Sequence, residues 1–218
     1  MIIPTILTAN LDKAKEKIKL LSGEVERVQI DIIDGKFANN QTIVPEDLLG
    51  VEGSNLPFFD FHLMVQEPVA FLDYEWPGTT SQITGQIEVM PSQVEFVRRV
   101  KEEGFLAGLA VNLDTNIDEL NVQALDLVDQ VLLLGVKAGF SGQRINPKVL
   151  TKIKELATRR QKENWFFKIG VDGGVDEMSL VFCCKMGAEE FFIGSTIWGS
   201  KDPVAMIRKL EKIVGGVK

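Results

Sequence analysis

Three polar side chains interrupt runs that are otherwise apolar. Asp31 lies within Ile30-Asp31-Ile32-Ile33, His62 within Phe61-His62-Leu63-Met64, and Asp172 between Val171 and Gly173-Gly174. Taking a carboxylate or an imidazole out of water is costly unless it meets a partner. One metal ion or one polar ligand shared by all three would be such a partner. Each residue alone also has a plainer reading. An aspartate before a turn caps the backbone that follows, and a solitary histidine, as His62 is in this chain, often serves packing alone. A second group is rich in glycine: Gly139-Phe140-Ser141-Gly142-Gln143, Gly173-Gly174 and Gly194-Ser195. Glycine lets backbone N–H groups approach an oxyanion closely, although ordinary strand–helix turns use glycine too.

These residues need elements that bring them to one place. Short apolar runs with β-branched and aromatic residues read as strands at Ile2–Leu7, Arg27–Asp31, Phe58–Met64, Gln82–Ile87, Leu106–Val111, Gln130–Leu134, Phe166–Val171 and Glu190–Ile193. Such runs suit a parallel sheet buried on both faces. Between them lie helical patterns at Leu11–Leu21, Pro91–Glu103, Lys148–Lys162, Met178–Met186 and Pro203–Val214. The first, third and last have a 3.6-residue apolar face, the second opens with a proline and is followed by Gly104, and the fourth ends before Gly187. Asp73–Ser81 reads as a loop around Trp76-Pro77-Gly78-Thr79-Thr80. Eight strands in βα alternation allow a closed barrel or an open doubly wound sheet. No G-x-G-x-x-G follows the first strand, which removes the strongest sign of a dinucleotide fold. The expected architecture is an α/β single (β/α)₈ TIM barrel over residues 1–218. In that fold the working face is the C-terminal end of the strands, and turns after strands seven and eight commonly bind phosphate.

Composition agrees. The 218 residues are 45% hydrophobic and 25% charged, with a net charge of −7. That suits one α/β domain with a sizeable core. It argues against a nucleic-acid binder, which carries a basic face, and against a polybasic membrane anchor. The adjacent Cys183 and Cys184 suit a reducing cytoplasm and read as small helix residues. The opening Met1-Ile2-Ile3-Pro4 lacks the basic segment of a signal peptide.

Pro4-Thr5-Ile6-Leu7, Asp31-Ile32-Ile33-Asp34-Gly35-Lys36-Phe37, His62-Leu63-Met64-Val65, Gly139-Phe140-Ser141-Gly142-Gln143, Val171-Asp172-Gly173-Gly174 and Gly194-Ser195 resemble, in order, the motifs of ribulose-phosphate 3-epimerases. The resemblance runs from Pro4 to about Gly199. It implies a ribulose-phosphate-binding barrel that interconverts ribulose 5-phosphate and xylulose 5-phosphate in the pentose phosphate pathway. It also implies a divalent metal (zinc, manganese or iron), a small sugar-phosphate partner, and a homo-oligomer. Carried over by motif, Asp31 and Asp172 are the acid/base pair on opposite faces of the substrate, and with His62 they are metal ligands. Asp34 belongs to the loop. Thr5 stands where the family has a substrate-contacting serine. Gly142, Gly174, Gly194 and Ser195 would offer N–H groups to phosphate, with Gly139, Phe140, Ser141 and Gly173 beside them, and Ala138–Arg144 would close as a lid.

The chain departs from the family pattern at several pocket positions. Gln29 replaces a histidine metal ligand, and its oxygen binds zinc more weakly than imidazole. Gln86 and Lys36 also replace histidines, Asn39 and Ala138 replace prolines, Ile33 and Leu134 replace methionines, and Lys137 occupies a more often neutral or acidic place. These changes leave two alternatives: a catalytically weak or inactive sugar-phosphate-binding relative, or another phosphosugar-barrel lyase or aldolase. Against the latter, Asp31-Ile32-Ile33-Asp34 lacks the lysine of the Asp-x-Lys-x-x-Asp pattern that hexulose-phosphate synthase-like aldolases carry. Phe191 and Trp198 are candidates for an interface, if exposed.

Overall fold

The computed structural model describes residues 1–217. Eight parallel strands close into a barrel in sequence order: β1 (Ile2–Ile6), β2 (Arg27–Ile33), β3 (Phe58–Met64), β4 (Thr80–Gln86), β5 (Leu106–Val111), β6 (Gln130–Leu134), β7 (Lys168–Asp172) and β8 (Glu190–Ile193), with β8 pairing back onto β1. Seven α-helices accompany them: α1 (Leu11–Leu21), α2 (Gln93–Glu102), α3 (Val122–Leu125), α4 (Lys148–Glu163), α5 (Glu177–Met186), α6 (Ser195–Trp198) and α7 (Pro203–Val217). Their starts are chemically specified. Asn10 accepts from Lys13 N at α1, Ser92 from Glu95 N at α2, and Asp176 from Ser179 N at α5, each satisfying a backbone donor the helix itself leaves free.

The βα alternation is less regular than the sequence suggests. β2 and β3 are followed by 3₁₀ turns, Pro45–Leu48 and Ala70–Asp73, in place of α-helices. The segment after β2 carries Asn39, Asn40, Gly50, Gly53 and Asn55, turn formers that break a helix. β4 begins at Thr80, inside the stretch read as a loop, and β7 begins at Lys168 rather than Phe166 and runs on through Asp172. Phe166 is almost fully exposed. Trp76 packs edge-on against Phe61 with ring centroids 5.0 Å apart. Among the described residues no helix is long and apolar enough to cross a membrane.

The main core fills the space between strands and helices, with Phe59, Phe61, Phe96 and Phe191 fully buried in it. Phe191 therefore offers no interface. Trp198 packs against the same core and donates its Nε1–H to Thr5 O. Cys183 is buried on α5, where desolvation pushes its thiol up to about 12 and keeps it unreactive.

Alternate residues of each strand face the inside of the barrel. The inside has an apolar middle of Ile3, Ala110, Leu132, Leu134 and Phe192 and a polar layer at the N-terminal end of the strands. There Arg27 lies 2.8 Å from both Asp60 and Glu190, and Lys168 lies 3.0 Å from Glu190. Arg27 donates to Gln82 Oε1, Gln82 to Gln130 Oε1, and Gln130 to Glu190 Oε2. Registers Gln29↔Asp60 and Asp31↔His62 then place Asp31 and His62 side by side at the other end.

Candidate active site

Asp31 on β2, His62 on β3 and Asp172 on β7 converge at the C-terminal end of the barrel, and one ligand atom of each lies within 4.8 Å of the others. His62 Nδ1 is 3.3 Å from Asp31 Oδ1 and 3.5 Å from Asp172 Oδ2, and makes no hydrogen bond. Asp31 and His62 are buried, while Asp172 borders the opening. Burial opposes charge on His62, but the Asp172 and Asp31 carboxylates outweigh it and raise the imidazole to about 9. Burial pushes Asp31 up to about 6, with the nearby Asp172 charge acting in the same direction and His62 and Gln29 opposing it.

Gln29, two residues before Asp31 on the same face of β2, reaches the same point. Its Nε2 donates to Asp31 Oδ1 at 2.9 Å and to Asp172 Oδ2 at 2.8 Å. The side chain expected as a weak fourth ligand thus turns an N–H group, which cannot coordinate, toward the carboxylates. Two anionic oxygens favour the donor end of the amide, and a bound cation would draw its oxygen instead. Gln86 reaches His62 from the other side, with the two Nε2 atoms 2.9 Å apart.

These donors fit a divalent metal. A buried imidazole nitrogen without a hydrogen bond faces two carboxylate oxygens, and a set of one imidazole and two carboxylates is one that zinc, manganese or iron accepts.

Above this cluster opens a pocket of about 560 Å³, its mouth included. Asp31, His62 and Asp172 form its floor, with Thr5 at one side. Gly173, Gly174, Gly194 and Ser195 line another wall, and Gly139, Phe140, Ser141 and Gly142 cover it. Every catalytic, metal and substrate residue inferred from sequence lines this pocket except Gln29, which reaches Asp31 and Asp172. Of the other positions that depart from the family pattern, Leu134, Lys137 and Ala138 line it, whereas Ile33, Lys36, Asn39 and Gln86 do not. Gly174 has φ +73, and a Cβ there would lie 2.3 Å from Ile145 N, so only glycine lets the β7 turn pass under the β6 loop. Asp34 stays outside, accepting from the backbone N–H groups of Lys36, Phe37 and Gln66. These bonds hold its carboxyl below the usual range against the opposing effect of burial.

The sequence did not reveal what holds the cover down. Asn40 Nδ2 donates to Gly139 O at 2.8 Å, and Gly139 lies so close to Ala38 that a Cβ would come within 2.5 Å of the Ala38 methyl. Gln143 Nε2 ties the loop to itself through Lys137 O and Phe140 O. The Asn39-Asn40 pair was the available signal, but it reads as a turn, and its partner lies 99 residues away. Leu7, Met64 and Val136 also line the pocket and, being apolar, gave no sign of it.

The family model described as "Ribulose-phosphate 3 epimerase family" matches residues 1–198. The chain is 31% identical over 215 residues to a ribulose-phosphate 3-epimerase from Bacillus subtilis, covering 96% of this chain and 97% of that protein. It is 30% identical over 216 residues to a ribulose-phosphate 3-epimerase from Aquifex aeolicus, covering 98% and 96%. Among solved structures, 3-keto-L-gulonate-6-phosphate decarboxylase from Vibrio cholerae superposes with a TM-score of 0.68 over 100% of this chain and 98% of its own, at 11% identity, a likeness of fold. With its closed barrel and its polar cluster at the strand ends, the chain belongs to the ribulose-phosphate 3-epimerase family.

Proposed function

We propose that this protein is an isomerase that inverts the carbon next to the carbonyl of a ketose phosphate, interconverting ribulose 5-phosphate and xylulose 5-phosphate or a close analogue. The observation that carries this reading is the pair of carboxyl groups, Asp31 and Asp172, held on one point by the Gln29 amide beneath a glycine-lined pocket. Inverting that carbon needs a base to take its proton and an acid to return one from the other face. Asp31, raised to about 6 by burial, keeps its proton closer to neutral pH than a free carboxyl and suits the acid role in one direction. Asp172 takes the base role, and the two exchange roles in reverse.

Asp31, His62 and Asp172 would hold the divalent metal, with Gln29 joining if its amide turns over. When bound, that ion supplies Lewis-acid stabilisation of negative charge on the substrate oxygens. The phosphate is assigned to Gly174, Gly194 and Ser195, where turns after β7 and β8 meet the N-terminus of α6, and to Gly142 on the loop after β6. Thr5 stands beside Gly194, and the loop held by Asn40 excludes water from the reacting end. Binding the remote phosphate aligns the reacting carbon. The same proposal places the protein in the cytoplasm as a homo-oligomer, with no nucleic-acid or membrane partner.

The test is conversion of ribulose 5-phosphate, followed by chromatographic appearance of xylulose 5-phosphate after addition of zinc, manganese or iron(II). A second reading, a weak or inactive sugar-phosphate binder, has one observation in its favour: Gln29 presents an N–H where a ligand would help. Binding of ribulose 5-phosphate without conversion under any metal would select it. Gln29→His restores an imidazole and is expected to tighten zinc binding by about tenfold or more in competition with a chelating dye. Unchanged affinity would mean that residue 29 does not face the ion. Gly174→Ala imposes about 1–3 kcal/mol of backbone strain besides its clash with Ile145, and should raise KM for the sugar phosphate more than it lowers kcat. The reverse pattern would remove the phosphate from this turn.

A further inference from the structure

The two nitrogens of His62 face different partners. Nδ1 points at the carboxylate pair, while Nε2 lies 2.9 Å from Gln86 Nε2. Both side chains are fully buried, so Gln86, not water, is the hydrogen-bond partner of Nε2. If the amide presents its nitrogen, it donates, the ring Nε2 must keep a lone pair, and the hydrogen moves to Nδ1. Nδ1 then cannot accept a cation. If the amide presents Oε1, it accepts from Nε2–H, and Nδ1 is left for the carboxylate side. A half-turn of the amide exchanges these arrangements in the same space. Gln86 Oε1 is buried without a hydrogen-bond partner, so the half-turn breaks no bond at that end.

We infer that Gln86 is a positioning residue: by presenting Oε1 it keeps the hydrogen of His62 on Nε2 and reserves Nδ1 for the carboxylate pair and a divalent cation between them. The inference rests on the metal-site reading above. It gives a buried amide that touches neither substrate nor metal control over the only imidazole in the chain. Outer partners of ligating histidines commonly act in this way.

Because His62 is the sole histidine, ¹⁵N NMR of the labelled imidazole reports it alone. The inference expects a hydrogen-bearing Nε2 in the wild type, both metal-free and zinc-loaded. Gln86→Met, similar in volume but unable to accept from the ring N–H, should weaken zinc binding about 10–100-fold and lose that Nε2 signature in the metal-free protein. Gln86→Glu should restore both. A lone-pair resonance at Nε2 in the wild type, or full zinc affinity in Gln86→Met, overturns the inference. If Gln86→Met does not fold, Gln86→Glu decides: affinity equal to or tighter than wild type supports it, and a tenfold loss overturns it. If the wild type binds no zinc, the metal reading falls. The metal-free spectra of wild type, Gln86→Glu and Gln86→Met then still decide the role of Gln86.

Discussion

Asp172→Asn is expected to abolish proton exchange at the carbon beside the carbonyl, a loss of about 10²–10⁴-fold, while sugar-phosphate binding persists. The asparagine keeps the shape of the side chain and its place beside Gln29 but cannot take a proton. The phosphate contacts assigned to Gly174, Gly194 and Ser195 come from the backbone and do not involve the carboxyl. Kd for ribulose 5-phosphate by calorimetry and exchange by NMR separate the two effects. Exchange retained within a few-fold of wild type would remove Asp172 from the chemistry. Loss of binding together with exchange would make the residue a structural or binding group instead. Asp31→Asn should match it in exchange, and the double variant should add little, since residues that act as one unit are not additive.

The largest expected effect on stability lies at the opposite end of the barrel. Arg27 is buried and compensates Asp60 and Glu190 at once. Arg27→Leu leaves Asp60 without its cation and Glu190 with Lys168 alone. Removing one partner of a buried pair costs about 3–5 kcal/mol. At about 2–4 °C per kcal/mol for a chain of this size, Tm should fall by roughly 6–20 °C. Lys148→Ala, which breaks an exposed pair with Asp114, should cost at most about 1 kcal/mol. Urea unfolding of both variants measures the contrast. An Arg27→Leu change as small as that of Lys148→Ala would show that the polar layer contributes nothing to the fold. Arg27 is four residues before Asp31 on β2, about 13 Å at the rise of an extended strand, so the folded variant should keep its KM.

That polar layer also marks the limit of reading a site from sequence. Arg27, Asp60 and Glu190 carry the same signal as Asp31, His62 and Asp172: a charge inside an apolar strand. Position within the strand separates them. Arg27 and Glu190 open their strands, whereas Asp31, His62 and Asp172 lie toward the closing ends, and a barrel keeps its chemistry at the latter. The strands were legible because continuous apolar runs dictate buried parallel sheet, and α1 matched residue for residue because its apolar stripe is local. No helical pattern is legible between β2 and β4, and the structure has only 3₁₀ turns there. What escaped was the short α3 and α6, four residues each, too brief to show a 3.6-residue period. The Gln29 bridge joins residues 143 apart. Nothing local to β2 says that an amide there would turn its nitrogen to Asp172.

The central claim is that Asp31 and Asp172 move a proton at the carbon next to a ketose carbonyl. Its most direct test is proton NMR of ribulose 5-phosphate in D₂O with the purified protein, without metal and with added zinc, manganese or iron(II). Loss of the C3 proton with appearance of xylulose 5-phosphate is the predicted result, and the dependence on added ion identifies the metal that supports it. Undiminished C3 signal under every condition, with the sugar phosphate demonstrably bound, would contradict the claim and leave a phosphate-binding barrel without this chemistry.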